Sequence, residues 1–527
     1  MPIRTSPARI TTAVRPARSR RWLTSGALIA LTTGLGLLAP QGAVALAQSP
    51  RPATIGAGNA HSCTIESGKA YCWGENDYGQ LGNGSTTDSS VPVPVDTRGV
   101  LAGKTLTQIS AGGGGGVDTC ALDRAGAAFC WGSNFDGALG DGKTAASFSS
   151  VPVAVDTRGV LAGQTLTQIS AGSDGGCVLD RQGVAYCWGD NDYGELGNGR
   201  GVSSSVPVAV DTRGVLADQT LTQISAGYED TCGLDSRGAA YCWGDNYYLE
   251  LGDGSSRAYS SVPVAVSASG ALAGRRLTQL SAGFWYECAV DTAGAAFCWG
   301  TGALGSATVS SSGVPVAVEA SGVLAGRRLT QVSAGFGEAC ALARGGTAFC
   351  WGDNTSGELG NGSTVSSDVA VAVDTTGVLA GKTLAQIAGG AFHACAEDTT
   401  GADYCWGDNT SGDLGNNSTT QSNVPALAGP QAPANVRAVP LTRAARVSWT
   451  LPASLDGATL LGYQATARPG RAACATTGAT RCIMTGLTRG IRYDVRVMAK
   501  TTAGNSGFSV PVTVTPLARP LAAAGRR

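Results

Sequence analysis

The 527-residue chain has 77 glycines, 3 methionines and only 14% charged residues, which suits short strands with tight turns and excludes helical bundles and coiled coils. An apolar content of 43% can fill cores, so the chain is not disordered. The formal net charge is −1, so the bulk charge does not favour binding to the phosphates of nucleic acid.

The N-terminal segment, residues 1–47, is predicted to be an export signal. It contains six arginines and no acidic residue, with an apolar run at 22–38 and small residues at 43–47. This order is typical of a signal peptide rather than a membrane span. Removing the six arginines leaves 31 basic against 38 acidic residues, a net charge of −7. We predict a secreted, extracellular protein with no membrane span and no nucleic-acid partner. Cell-wall association and the export route, general secretion or twin-arginine, stay open.

A repeat occupies most of the chain. The tripeptide Cys-Trp-Gly occurs seven times, starting at Cys72, Cys130, Cys187, Cys242, Cys298, Cys350 and Cys405. Each unit contains four short β-type runs separated by Gly and Asn turns, so seven units predict an all-β, seven-bladed β-propeller over residues 48–428. The tryptophans are expected to pack between blades. Because the chain enters a unit at residues 54–58, we expect its N-terminal strands to complete the last blade.

The cysteines predict disulfides. All sixteen fall into close pairs: Cys63/Cys72, Cys120/Cys130, Cys177/Cys187, Cys232/Cys242, Cys288/Cys298, Cys340/Cys350, Cys395/Cys405 and Cys474/Cys482. Each propeller pair flanks a strand, a glycine turn and a strand, which favours one cross-strand disulfide per blade in an exported chain. The last pair is expected to staple one hairpin. The spacing differs from that of zinc sites, and we predict neither a metal nor a cofactor.

The unit at residues 57–84, with its W-G-x-N-x-x-G-x-L-G core, resembles the repeat of the regulator of chromosome condensation. The resemblance covers about 53–428 and implies a seven-bladed propeller whose two chain ends share one blade. The nucleotide-exchange activity of that nuclear protein does not carry over, because this chain has an export signal and an acidic surface. A secreted β-lactamase inhibitor shares this type of propeller, so inhibition of an extracellular enzyme is an alternative function by analogy.

Residues 431–516 resemble a fibronectin type III module. The segment contains Trp449 as a candidate core residue, and Leu487 and Tyr493 have the spacing of a tyrosine corner. We predict a β-sandwich here, a linker at 426–433 before it, and a tail at 517–527.

Little in the sequence points to catalysis. The two histidines, His61 and His393, lie at a repeat position that other units fill with Asp118, Asp230, Tyr286 and Glu338. Such variety predicts a rim or hydrogen-bonding position rather than a catalytic constellation. Two carboxylates from different blades can meet across the central funnel, but nothing marks a pair for sugar hydrolysis. We predict that the protein is not an enzyme, with polysaccharide cleavage as a remote alternative.

The least repetitive residues are the candidates for binding. The loop after each Ala-Gly is aromatic in three successive units, and a shortened loop after Trp299 is expected to open the rim beside them. The candidates are Tyr228, Tyr247, Tyr248, Phe284, Trp285, Tyr286 and Phe336. Aromatic anchors hold proteins and sugars, which favours a monomeric, non-catalytic binding or adhesion protein for an extracellular protein or polysaccharide. The alternative that these rings only cover the blade tops stays open.

Overall fold

The computed structural model describes residues 52–112, 116–144, 147–429, 433–452, 459–501, 504–506, 508–509 and 511–517. The predicted signal at 1–47, part of the linker and nearly all of the tail lie outside these residues. The described part contains seven four-stranded antiparallel sheets, followed by two sheets of a sandwich. None of its helices is long and apolar enough to cross a membrane.

The seven sheets are the predicted blades, and each uses four consecutive strands. Blade 1 consists of β1 (Ile55–Ala57), β2 (His61–Glu66), β3 (Lys69–Gly74) and β4 (Ser89–Pro94). Blade 2 consists of β5 (Leu106–Ala111), β6 (Asp118–Asp123), β7 (Ala128–Ser133) and β8 (Phe148–Ala154). Blade 3 consists of β9 (Leu166–Ala171), β10 (Gly175–Asp180), β11 (Ala185–Gly189) and β12 (Ser204–Ala209).

The other four blades repeat this order. Blade 4 consists of β13 (Leu221–Ala226), β14 (Asp230–Asp235), β15 (Ala240–Asp245) and β16 (Tyr259–Ala265). Blade 5 consists of β17 (Leu277–Ala282), β18 (Tyr286–Asp291), β19 (Ala296–Thr301) and β20 (Ser311–Ala317). Blade 6 consists of β21 (Leu329–Ala334), β22 (Glu338–Ala343), β23 (Thr347–Gly352) and β24 (Ser367–Ala372). Blade 7 consists of β25 (Leu384–Gly389), β26 (His393–Asp398), β27 (Asp403–Gly407) and β28 (Ser422–Leu427).

Short 3-10 helices lie between the strands. One follows the fourth strand in each of the first five blades, at Gly99–Leu101, Gly159–Leu161, Gly214–Leu216, Gly270–Leu272 and Gly322–Leu324, and a further one at Phe135–Gly137 follows β7.

The repeated tryptophan joins each blade to the one before it. All seven rings are at most 1% exposed. Each Nε1–H donates to a backbone carbonyl of the preceding blade, as Trp243 does to Glu195 at 2.8 Å. A glycine makes room for the ring: a Cβ added at Gly197, whose φ is +60°, would lie 2.7 Å from Trp243 Nε1. The predicted packing role of these tryptophans is confirmed.

The predicted closure of the ring is wrong. Strand β1 pairs with β2 inside blade 1, and blade 7 is built entirely from its own four strands. The chain supplies a complete first strand at Ile55–Ala57, so no strand is left over for the last blade. The seam, where blade 7 meets blade 1, is held by the same tryptophan contact as the other blade junctions: Trp73 Nε1 donates to the Asp413 carbonyl at 2.8 Å. Likewise, His393 Nε2 lies 2.7 Å from Ser62 Oγ.

We expect the seam to be as strong as an internal junction. Ser62→Ala at the seam and Thr119→Val beside His61 each remove a buried hydroxyl that bonds a histidine. Each variant should lower the free energy of unfolding by about 1–3 kcal/mol, because the histidine loses its partner. Denaturant titration measures both, with the exposed Thr86→Val as control. A Ser62→Ala variant as stable as the control would show that this contact does not hold the seam.

All sixteen cysteines are paired as predicted. In every blade the two cysteines are direct cross-strand neighbours, as Cys232 and Cys242 are in β14 and β15. The eighth bond differs from the expectation. Cys474 and Cys482 lie on strands of different sheets, so their disulfide ties the two sheets of the sandwich together rather than stapling one hairpin.

The sandwich has a three-stranded sheet and a second, larger sheet. The first contains β29 (Ala434–Leu441), β30 (Ala444–Thr450) and β33 (Arg481–Thr485). The second contains β31 (Leu460–Arg468), β32 (Ala473–Thr476), β34 (Tyr493–Thr501), β35 (Gly504–Asn505) and β36 (Val512–Val514). Trp449 is 5% exposed and packs edge-on against Tyr463 at 5.2 Å. The Tyr493 hydroxyl accepts from the Thr488 N–H at 3.0 Å, which confirms the tyrosine corner.

Candidate functional site

The position occupied by the two histidines lies inside the propeller, not on its rim. His61, Asp118, Asp230, Tyr286, Glu338 and His393 are all at most 3% exposed. Burial lowers the pKa of His61 to about 3 and that of His393 to about 4, so both are neutral at ordinary pH. The serine bonded to His393 is itself fully buried. This serine–histidine contact joins two blades and is out of reach of a substrate.

The structure removes Tyr286 from the predicted binding residues. Its side chain is fully buried, and its hydroxyl donates to the Glu338 carbonyl of the next blade at 2.6 Å. Tyr286 begins strand β18, beneath the loop that carries Phe284 and Trp285. It is therefore a packing residue between blades 5 and 6.

Backbone hydrogen bonds set the aromatic loops side by side. Tyr228 N–H donates to the Gly283 carbonyl at 3.2 Å, and Phe284 N–H donates to the Gly335 carbonyl at 3.1 Å. A Cβ added at Gly283 would lie 2.8 Å from the Gly335 carbonyl oxygen, so a side chain there would force the loops apart. The glycine before each aromatic residue is what allows adjacent loops to approach closely.

Seven side chains form one connected network of ring contacts, here called the aromatic arc. Two of them lie on the loop after β15, and the others lie on the loops between the first two strands of blades 4 to 7: Tyr228, Tyr247, Tyr248, Phe284, Trp285, Phe336 and Phe392. Tyr228 stacks on Phe284 with ring centroids 4.0 Å apart, and Tyr248 lies 4.7 Å from Trp285. The shortened loop after Trp299 packs against the arc, because Thr301 Oγ1 donates to the Tyr248 carbonyl at 3.0 Å.

Phe392 was not predicted from the sequence. It is 42% exposed and lies 5.4 Å from Phe336. Counting back from the first cysteine of each unit puts Phe392 at the position of Trp285, three residues before Cys395 and Cys288. Aligning the repeat units on their first cysteine would therefore have identified Phe392 as an arc residue, whereas aligning them on the Ala-Gly dipeptide does not.

An acidic pocket adjoins the arc between blades 3 and 4. It is a cavity of about 50 Å³ lined by Tyr228 and by five carboxylates, which are Asp174, Asp190, Glu195, Glu229 and Asp230. These acids were also not predicted as a group. Blades 3 and 4 each carry three acids at equivalent positions. One stands three residues before the first cysteine, one directly after Cys-Trp-Gly, and one directly before the following Leu-Gly. No other blade has all three, and this pattern is the sequence signal for the pocket.

Burial dominates the electrostatics of the pocket, and the crowding of like charges adds to it. Burial, helped by neighbouring carboxylates, raises the pKa of Glu229 to about 7 and that of Glu195 to about 8. Burial also raises the pKa of Asp230 to about 8, and the pKa of Glu287 behind it is raised strongly. None of the ion pairs in the described part of the chain includes a pocket carboxylate. The pocket therefore holds excess negative potential as these groups ionise.

The comparisons with known proteins match this architecture. The family model of the regulator of chromosome condensation (RCC1) repeat matches residues 67–117, 125–179, 182–234 and 345–396, and a second model of that repeat matches 166–195, 221–249 and 329–358. The fibronectin type III model matches residues 431–515.

Similar proteins with curated names come from plants and animals. The Ultraviolet-B receptor UVR8 of Arabidopsis thaliana is 27% identical over 379 residues, which cover 71% of this chain and 80% of the receptor. The E3 ubiquitin-protein ligase HERC2 of Homo sapiens is 29% identical over 353 residues, 65% of this chain but only 7% of the ligase.

Two solved structures share the propeller fold. Human WBSCR16 superposes with a TM-score of 0.58 at 21% identity, covering 66% of this chain and 86% of that chain. Prp20p from Saccharomyces cerevisiae gives 0.57 at 20% identity, covering 69% and 86%. The protein therefore consists of RCC1 repeats folded as a seven-bladed propeller and a C-terminal fibronectin type III domain.

Proposed function

We propose that the protein is an exported, non-catalytic binding protein whose aromatic arc holds an extracellular protein partner, with a polysaccharide as the alternative partner. The observation that carries the proposal is the continuity of the arc. Seven rings from blades 4 to 7 form one connected network of contacts, and Tyr247 is 74% exposed. Clustered aromatic rings at a surface supply large contact area at low entropic cost and dominate binding energies.

The similar proteins support a protein partner. The solved structure of Prp20p is described together with that protein's binding to Gsp1p and histones. Propellers of this type present a wide loop surface, and the loops here are the part of the unit that varies most. The arc is where this chain departs furthest from its own repeat, so we place the contact there. The sandwich would act as a spacer.

Export is part of the proposal. The N-terminal segment has the composition of a signal peptide, and eight disulfides are typical of proteins that fold in oxidising compartments.

Removing the arc should abolish partner capture without unfolding the propeller. In the Phe284→Ala/Trp285→Ala double variant the loss of two central, half-buried rings should weaken binding at least a hundredfold, at about 2 kcal/mol or more for each anchor. The measurement is affinity capture from culture supernatant, followed by titration of the recovered partner. Tyr78→Ala/Phe135→Ala is the matched control, since these two exposed rings also touch, at 5.9 Å, but lie outside the arc.

The outcome also separates the alternatives. Recovery of one enzyme in equal amounts, with loss of its activity in the complex, would assign inhibition. A glycan-array signal that the double variant loses would assign the polysaccharide. Undiminished capture by the double variant would contradict the proposal that the arc is the binding surface.

A further inference from the structure

We propose that the acidic pocket takes the guanidinium group of an arginine on the partner protein, with Tyr228 as its aromatic wall. This inference rests on the proposed function, because it names the chemistry by which the same surface recognises its partner. The pocket and the arc are continuous: Tyr228 lines the pocket and stacks on Phe284.

The pocket carboxylates have acceptor capacity that the protein leaves unused. Asp230 is 3% exposed and lines the cavity; its carboxyl group shares a hydrogen bond with Glu287 of blade 5, and its Oδ1 accepts no N–H hydrogen bond from the described residues. Oε1 of Glu195, also on the cavity wall, is buried and without a hydrogen-bond partner. Buried acceptors without donors are costly. Two carboxylate oxygens without an N–H donor, both on residues that line one cavity, indicate a ligand that brings its own N–H groups.

Size and shape favour a guanidinium over other cations. A cavity of about 50 Å³ has room for three or four non-hydrogen atoms, since one water needs roughly 10–15 Å³. Guanidinium has four such atoms, with five N–H donors in a planar fork in the arginine side chain. That plane can stack on an aromatic ring while its edge bonds carboxylates. Among the described residues, no group of three or more His, Cys, Asp or Glu side chains is arranged to hold a metal ion.

The charge balance points the same way. The charged groups that raise the pKa values of Asp174, Glu195 and Glu229 are all carboxylates. A bound cation would relieve this repulsion and favour the ionised forms. A neutral sugar would not, and an anionic one would be repelled, so a sugar is the less favoured occupant.

The direct test uses the purified protein and three blocked peptides of the same sequence that differ only at the central residue, which is arginine, lysine or citrulline. Citrulline has nearly the shape of arginine without its charge. Calorimetric titration should show the arginine peptide binding at least about tenfold more tightly than the citrulline peptide, since hydrogen bonds to charged groups are the strong ones. Lysine should lie between them. Equal binding of the arginine and citrulline peptides would overturn the inference.

The chain offers a closely matched pair of variants. Asp190 and Asp353 occupy the same repeat position, and in each the Oδ1 accepts from the next residue's N–H and from a serine hydroxyl. Only Asp190 lines the pocket. Asp190→Asn should weaken the arginine peptide about tenfold, while Asp353→Asn should leave it unchanged. Equal effects of the two would overturn the inference. Glu229→Gln is a second pocket variant should Asp190→Asn fail to fold.

Binding of the arginine peptide should also strengthen as pH rises from about 6 to 9. Glu229, Asp230 and Glu195 ionise in this range, and the cation prefers their charged forms. The titratable groups that surround them are Asp136, Asp174, Asp190, Tyr193, Tyr228, Asp245, Glu250 and Glu287. Affinity that is flat across this range would count against the pocket as the binding site.

Failure of the inference and failure of the proposed function give different results. If the arc double variant loses the captured partner while arginine and citrulline peptides bind alike, the arc binds without an arginine and only the inference fails. If the double variant keeps the partner, the proposed function fails, whatever the peptides show.

Discussion

Replacing Trp243 by alanine is expected to lower the free energy of unfolding by about 3–5 kcal/mol, the range for deletion of a large buried aromatic side chain. The ring is fully buried between blades 3 and 4. Its Nε1–H is the donor for the Glu195 carbonyl at 2.8 Å, and Gly197 of blade 3 lies directly against it. The variant therefore creates a cavity and removes the shorter of the two hydrogen bonds that the Glu195 carbonyl accepts, the other coming from Thr231 Oγ1 at 3.3 Å. Thermal or denaturant unfolding measures the loss.

Two controls separate the parts of this effect. Trp243→Phe keeps most of the ring but removes the donor, and should cost less than the alanine variant. Trp285→Ala removes the same type of side chain from a half-buried site on the arc, and should be the mildest of the three. If Trp243→Ala were no worse than Trp285→Ala, the repeated tryptophan would not be the inter-blade anchor.

The repeat made the blades predictable from sequence. Because Cys-Trp-Gly recurs with a nearly constant period, one unit's pattern of strands and turns applied to all seven, and cysteine spacing gave the disulfide register. The closure of the ring was not predictable in this way. It depends on whether residues 55–57 pair with β2 or with the last blade, and the local sequence suits both pairings. Only the observed sheet order decides between them.

The candidate site was only partly predictable, because it is assembled from different blades. Six of the seven arc rings stood out as departures from the repeat. Tyr286 shared that appearance, but strand alternation turns its side chain inward. The pocket acids come from three separate places in two units, such as Asp174, Glu195 and Glu229. Each resembles an ordinary turn or loop residue, and only the side-by-side packing of blades 3 and 4 brings them together.

The second large effect is an unusual dependence of stability on pH. Glu250 is 2% exposed, and burial raises its pKa from 4.5 to about 9. A group whose pKa is higher in the folded than in the unfolded state contributes stability below its unfolded pKa. That contribution is lost as pH rises through the folded pKa. Stability should therefore fall between about pH 4.5 and pH 9, the range set by the two values for Glu250. Carboxylates held in ion pairs give the opposite trend.

The variant Glu250→Gln isolates this effect. Glutamine keeps the acceptor for the Tyr248 N–H, which Glu250 Oε2 binds at 2.9 Å, but it carries no charge at any pH. At pH 5 the variant and the parent protein should have similar stability. At pH 9 the variant should be more stable by about 2–4 kcal/mol, because it avoids an ionised carboxylate in a buried, acidic environment. Thermal unfolding at pH 5, 7 and 9 measures the difference, with the exposed Glu319→Gln as control.

Alkaline pH is a fair condition for this test, since all sixteen cysteines are in disulfides and no thiolate is available to exchange them. A difference between Glu250→Gln and the parent protein that stays constant from pH 5 to pH 9 would contradict the raised pKa. A difference that widens with pH would show that the native fold buries Glu250 in blade 4 at a cost that appears when this carboxyl group ionises. The pocket carboxylates Glu195 and Glu229 have the same kind of cost on ionisation, which a bound cationic side chain would relieve, so the arginine peptide should raise the melting temperature more at pH 9 than at pH 6.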